Sequence, residues 1–177
     1  SSNTFFIVGI KQPGSTYRQV PAWFDDPMKE KSNLPLLIIN TNGQTIIDAE
    51  KITAGLKVVD NGYGQMNGLL DDATDYDGFA GIEIRGQSSQ QFPKKGYGVE
   101  LRNKAGADTS VSLLGMPAEA DWVFSAPYSD KTMLRNAITY ELGRKMAPAW
   151  QPRFKWCEVY LNEEYIGVYM LVEKIKR

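Results

Sequence analysis

The sequence predicts an α+β fold, an antiparallel β-sheet with one main helix packed on it. Three observations predict it. Short runs with two-residue alternation recur along most of the chain, one stretch near the last quarter carries helical period, and two further strand-like runs follow it. With 177 residues, 42% of them apolar, the chain is long enough to bury a core and suits one domain with an N-terminal extension.

In chain order, "TFFIVGI" (Thr4–Ile10) reads as a short strand and Lys11–Asn33, rich in proline and charge, as a loop or linker. Residues 1–33 are thus a strand and extended segment ahead of a domain spanning 34–177. "LPLLIIN" (Leu34–Asn40) is a continuous apolar run, hence a buried strand. "TNGQ" after it is a turn signal, with Gly43 free to take positive φ. Lys51–Asp60 is a further strand candidate, weakened by Gly55. Asn61–Gly78 is a loop rich in Gly and Asp. With Ala73 as first ligand position, Asp75, Asp77 and Gly78 fit a calcium loop, but Ala73 and Ile84 cannot ligate, which favours a solvated loop.

Two strands flank the loop of "GIEIRGQSSQQFPKKGYGVEL" (Gly81–Leu101). Ile82 and Ile84 share one face of the first strand; Glu83 and Arg85 share the other. In the second, Lys95 falls in line with Tyr97, Val99 and Leu101, so its amine must leave the end of the core or meet a partner. Asp121–Tyr128 is a strand that stops at Pro127. Ser129 or Asp130 then caps a helix from Lys131 to about Met146, with its period carried by Leu134, Ile138 and Leu142. Phe154–Ile175 is a β-hairpin turning at Asn162–Glu164.

Composition removes several function classes. There is no histidine, which excludes histidine triads and histidine metal sites. Cys157 is the single cysteine and lies within a strand pattern, so a buried structural thiol is expected rather than a nucleophile. The redox compartment stays open. Twenty basic and 21 acidic side chains leave a net charge of −1, with no global attraction to nucleic acid. No apolar run approaches the ~20 residues of a membrane span. The start without Met and the close on "LVEKIKR" read as a piece cut from a longer protein. The spread of Trp23, Trp122, Trp150 and Trp156, and the strand spacing of Tyr160, Tyr165 and Tyr169, read as core and sheet packing.

Two places carry chemistry. In the quoted loop, Gly86, Ser88 and Ser89 could offer donors to phosphate oxygens, and Lys94 or Lys95 a point charge; a solvated hairpin tip is the other reading. At the helix start, Lys131 and Arg135 stand four apart beside a partial positive charge, which an anion would relieve; a solvated Lys131 and a carboxylate-paired Arg135 would do so too.

The stretches "IRGQSSQQFPKKGYGVEL", "LLGMPAEADWVFSAPYSDKTMLRNAITYEL" and "VYLNEEYIGVYMLVEKIKR" resemble the CotH family, named for a spore coat protein and regarded as atypical secreted kinases. The resemblance is strongest over 82–177. It implies a domain like the N-terminal lobe of a protein kinase, cut at a hinge at Glu173–Lys174. It further implies a parent that uses ATP and magnesium to phosphorylate protein Ser or Thr, secreted or at the cell surface. Ser88, Ser89, Lys94, Lys95, Lys131, Arg135 and Glu173 become the nucleotide-facing residues. No catalytic or metal-ligating residue is matched, so the chain alone should transfer no phosphate and needs no cofactor. Lys95 or Arg135 should be buried against Glu141 or Glu173, and the exposed lobe face could self-associate. The family-typical Asn-Gly turn is Asn162-Glu163 here. A different reading is a non-catalytic surface or matrix module that binds protein or polysaccharide.

Overall fold

A computed structural model describes residues 31–146 and 150–175. Its strands are β1 (Lys31–Ser32), β2 (Leu36–Asn40), β3 (Ile52–Val59), β4 (Asn67–Gly68), β5 (Tyr76–Arg85), β6 (Gly96–Arg102), β7 (Asp121–Ser125), β8 (Phe154–Leu161) and β9 (Glu164–Glu173); the helix α1 spans Arg135–Met146. The expected strand at Thr4–Ile10 lies outside the described residues.

The architecture corrects the expected α+β class and the likeness to a kinase lobe. The protein is mostly β, and seven strands close into a barrel in the order β2-β3-β5-β6-β7-β9-β8. What closes it is a parallel pairing of β2 with β8, from Leu36 opposite Glu158 to Ile39 opposite Leu161. All other neighbours in the barrel are antiparallel. Closure leaves the barrel without a free edge, and one face of each barrel strand faces inward, while β1 and β4 pair apart from it as a two-stranded sheet.

Alternation along each strand decides what enters the barrel. Tyr97, Val99 and Leu101 of β6, Trp122 and Phe124 of β7, Cys157 and Val159 of β8, and Tyr169 and Leu171 of β9 all belong to one buried cluster. Cys157 is the buried thiol expected, and burial pushes its pKa up to about 12. Their neighbours in sequence point outward. Val123, Met170 and Val172 form a second, smaller cluster that meets Ala137 of α1, with Tyr140, Phe154 and Trp156 packed around it.

The helix differs from expectation in two ways. It starts at Arg135 rather than Lys131, because Met133 takes a left-handed φ of 60° that no helix continues through. Asp130 still caps it: Oδ2 accepts the Arg135 N–H at 2.9 Å, and Oδ1 accepts the Thr132 hydroxyl at 2.7 Å. The apolar row also faces away from the barrel. Leu134 is 48% exposed, Ile138 52% and Leu142 49%, whereas Ala137 is the buried residue of the helix.

The β8–β9 turn lies at Asn162 and Glu163, with φ of 50° and 69°. Asn162 ties this turn to the end of β2, its Oδ1 accepting the Thr41 N–H at 2.8 Å. In the loop after β3, Asp71 Oδ2 accepts the Gly68 N–H at 2.8 Å and Asp75 accepts the Leu114 N–H. These carboxylates serve the backbone, and no group of three metal-ligating side chains occurs among the described residues. No helix among them is long and apolar enough to cross a membrane.

Candidate functional site

The loop after β5 leaves the barrel at Gly86, whose φ is +119°. The positive φ is what calls for glycine; a Cβ there would also displace the Ser89 hydroxyl from its present rotamer. The chain then makes a single 3₁₀ turn at Ser88–Gln91. Both lysines at its end are used to pin it. Lys95 Nζ donates to the carbonyls of Gln90 and Phe92, the latter at 2.8 Å. Lys94 Nζ crosses to β9, donates to the Val168 carbonyl and lies 4.4 Å from the centre of the Tyr169 ring. Tyr169 in turn donates its hydroxyl to the Lys95 carbonyl at 3.0 Å.

Facing this loop is the segment that leads from β7 into α1. Tyr128 stacks on Phe92 with ring centres 5.3 Å apart. Lys131 also lies over the Tyr128 ring, 4.5 Å from its centre, and donates to the Tyr128 carbonyl at 3.3 Å. Between the two segments lies a cleft of about 350 Å³. Arg85, Ser89, Phe92, Asp130, Arg135 and Asn136 line it. Gly96 forms part of its floor, where a side chain would press on the Arg85 and Phe124 carbonyls, both 3.4 Å from the Cβ position.

The cleft is a local cationic site in a nearly neutral chain. Arg135 is 82% exposed along its side chain and only grazes Asp130, Nε to Oδ1 3.6 Å. The Thr132 hydroxyl and then the Arg135 N–H hold the Asp130 carboxyl below the usual carboxylate range, so it stays ionised. Arg85 is exposed and has no carboxylate partner among the described residues. Two guanidinium groups therefore share the cleft with one carboxylate, which is already engaged as a helix cap. The surplus positive charge, the Ser89 hydroxyl and the Asn136 amide suit an anion with several oxygens.

The sequence-predicted residues divide between this place and others. Ser89 and Arg135 line the cleft, and Lys131 stands beside it on Tyr128. Ser88 is exposed on the 3₁₀ turn. Lys94 and Lys95 hold the loop and are not in the lining. Glu173 is buried on β9, where its Oε2 accepts the Arg153 N–H at 2.6 Å and its Oε1 meets Nη1 of the same arginine at 3.1 Å. The expected pairing of Lys95 or Arg135 with Glu141 or Glu173 does not occur. Loop carbonyls satisfy Lys95, Asp130 takes Arg135, and Arg144 takes Glu141. Arg85, Phe92, Tyr128 and Asn136 were missed. The outward face that Arg85 shares with Glu83 was a usable signal for the first of them.

Compared with known protein families, residues 82–177 match the family model described as CotH kinase protein, over half of the chain. That span covers the loop, both walls of the cleft, α1 and the β8–β9 hairpin. No curated protein matches the chain.

Proposed function

The chain belongs to the CotH family, and from that premise we propose that the cleft binds the phosphates of a nucleotide for a phosphotransferase acting on protein Ser or Thr outside the cell. The observation that supports this reading is that Arg85, Arg135 and Ser89 line one cleft with a single, committed carboxylate. Arginine presents a planar fork that matches phosphate oxygens two at a time. At about 350 Å³ the cleft is at the small end of ligand sites, enough for a phosphate chain gripped from one side. The Phe92–Tyr128 pair beside it offers an aromatic edge for a flat group.

The residues fit phosphate but not magnesium. A magnesium ion shared with phosphates wants one or two free carboxylates, and Asp130 is spent on the helix cap and Arg135. In this reading the described residues orient and neutralise the phosphates, and metal chemistry is not theirs. ATP supplies the transferable phosphoryl group.

Calorimetric titration of the 177-residue chain with ATP, inorganic triphosphate and adenosine tests it. ATP and triphosphate should bind with similar, weak affinity, and adenosine should not bind measurably. Arg85→Ala and Arg135→Ala should each weaken triphosphate binding by about tenfold, the loss of one charge-assisted pair. Binding unchanged in both variants would remove the cleft from the function. A radiolabelled-ATP assay on a chain extended past Arg177 then asks separately for transfer.

A further inference from the structure

We propose that Lys94 is a modification site, an amine that takes an acyl group from activated acyl donors such as acyl phosphates and anhydrides. The inference is independent of the cleft. It starts from the place that the side chain occupies at one end of the barrel. Gly167 of β9 has φ +105° and no side chain, and the Lys94 amine fills the space above it, 3.2 Å from where a Cβ would stand. There it donates to the Val168 carbonyl and lies over the Tyr169 ring. Lys94 is half-buried and keeps part of its surface in contact with solvent.

What the amine lacks singles it out. Lys51 is paired with Glu100 at 2.6 Å and Lys174 with Asp121 at 2.9 Å, while no carboxylate reaches Lys94 among the described residues. The titratable groups that face it are the thiol of Cys157 on β8 and the phenol of Tyr169 on β9, both neutral at physiological pH. The Val168 carbonyl and the Tyr169 ring face offset desolvation only in part, and burial lowers its pKa to about 8. At pH 7.5 roughly a quarter of the Lys94 amines are neutral, against about one in a thousand for an ordinary lysine. With one N–H held by the Val168 carbonyl, the nitrogen lone pair points away from that bond.

The step balances without an oxidant. The nitrogen lone pair attacks the acyl carbon, the N–C bond forms, the bond from acyl carbon to the phosphate or carboxylate oxygen breaks, and the surplus proton leaves to water. The amide keeps one N–H for the Val168 carbonyl and removes a charge that the site solvates poorly.

Trace labelling of the folded chain with acetic anhydride between pH 6.5 and 10.5, read by quantitative peptide mass spectrometry, tests the assignment. At pH 7.5 Lys94 should label about tenfold faster than the exposed Lys155, with half-maximal rate near pH 8. In urea the two should label alike. Acetyl phosphate at pH 7.5 should then modify Lys94 ahead of the other lysines. A Lys94 rate at or below that of Lys155 in the folded chain, a half-maximum above pH 9.5, or no preference with acetyl phosphate would overturn the proposal.

Discussion

The interior of the barrel and the layer beneath α1 use the same strands and almost opposite packing. Inside, side chains from β2, β3, β5, β6, β7, β8 and β9 meet in one cluster, and Trp122, Phe124, Leu101 and Leu171 are wholly out of water. Outside, a helix touches the barrel through Ala137 and Tyr140 and turns its largest apolar residues to solvent. Period-2 alternation supplies both faces, but only the closed face has partners from every strand. The fold therefore rests on the barrel, and α1 is carried by it. That division frees the segment before α1 to serve the cleft, since Ser129 to Arg135 hold little of the core.

The contrast should break most visibly at Phe124. Its ring is fully buried among residues of several strands, so truncation leaves a cavity that the closed barrel cannot collapse. Phe124→Ala should cost about 3–5 kcal/mol in urea unfolding. A loss below about 1 kcal/mol would mean that the interior is loosely packed and that the comparison fails.

How far the sequence revealed this follows from the same contrast. Strand positions were legible because alternation is local: β6, β8 and β9 lie within a residue or two of where their patterns put them. Closure was not, because the pairing of Leu36–Ile39 with Glu158–Leu161 joins segments far apart in the chain and leaves no mark in either. The helical period was real and its direction was misread. A row such as Leu134, Ile138 and Leu142 is expected to seek the core, yet Ala137 and Tyr140 take that side. At the site, the sequence put Ser89 and Arg135 in the right region, and it credited Lys94 and Lys95 with facing a ligand when both satisfy carbonyls. A lysine next to apolar strand residues signals that a partner is needed, not which partner it finds.

Lys94 also sharpens the comparison, because it is a cation at the edge of the apolar interior. Its pKa in the folded chain is about 8, below its value of about 10.5 when unfolded. Between these values the unfolded chain binds more protons, so this group makes stability rise as pH rises through the window. Below pH 8 both states are charged and the contribution is flat. Cys157 and Tyr169 act in the opposite sense at high pH, since burial holds both neutral while the unfolded chain ionises them. They are common to the wild type and Lys94→Met, so the difference between the two proteins isolates the lysine. The wild type should gain on Lys94→Met between pH 8 and 9.5. The gain should stay below the ~1.4 kcal/mol per pH unit of one whole proton, because the side chain is only partly desolvated. Parallel stability curves for the two proteins would show that the amine is solvated as freely as any surface lysine.

The smallest effect belongs to the outward row of α1. Ile138 is 52% exposed and sits one turn from both Leu134 and Leu142, on the side that Ala137 does not share. Isoleucine is also a poorer helix former than lysine, because its branched Cβ loses rotamer freedom against the preceding turn. Ile138→Lys therefore removes little buried area and gains slightly in propensity. The new cation falls in the first turn of the helix, beside its positive pole, which at an exposed position costs a few tenths of a kcal/mol and offsets the gain in propensity. The sum should leave stability within about 0.5 kcal/mol of the wild type. Urea unfolding checks this directly, with Phe124→Ala measured beside it. A loss for Ile138→Lys of even half that of Phe124→Ala would mean that the row is packed in the folded chain, and the helix would then hold the barrel rather than ride on it.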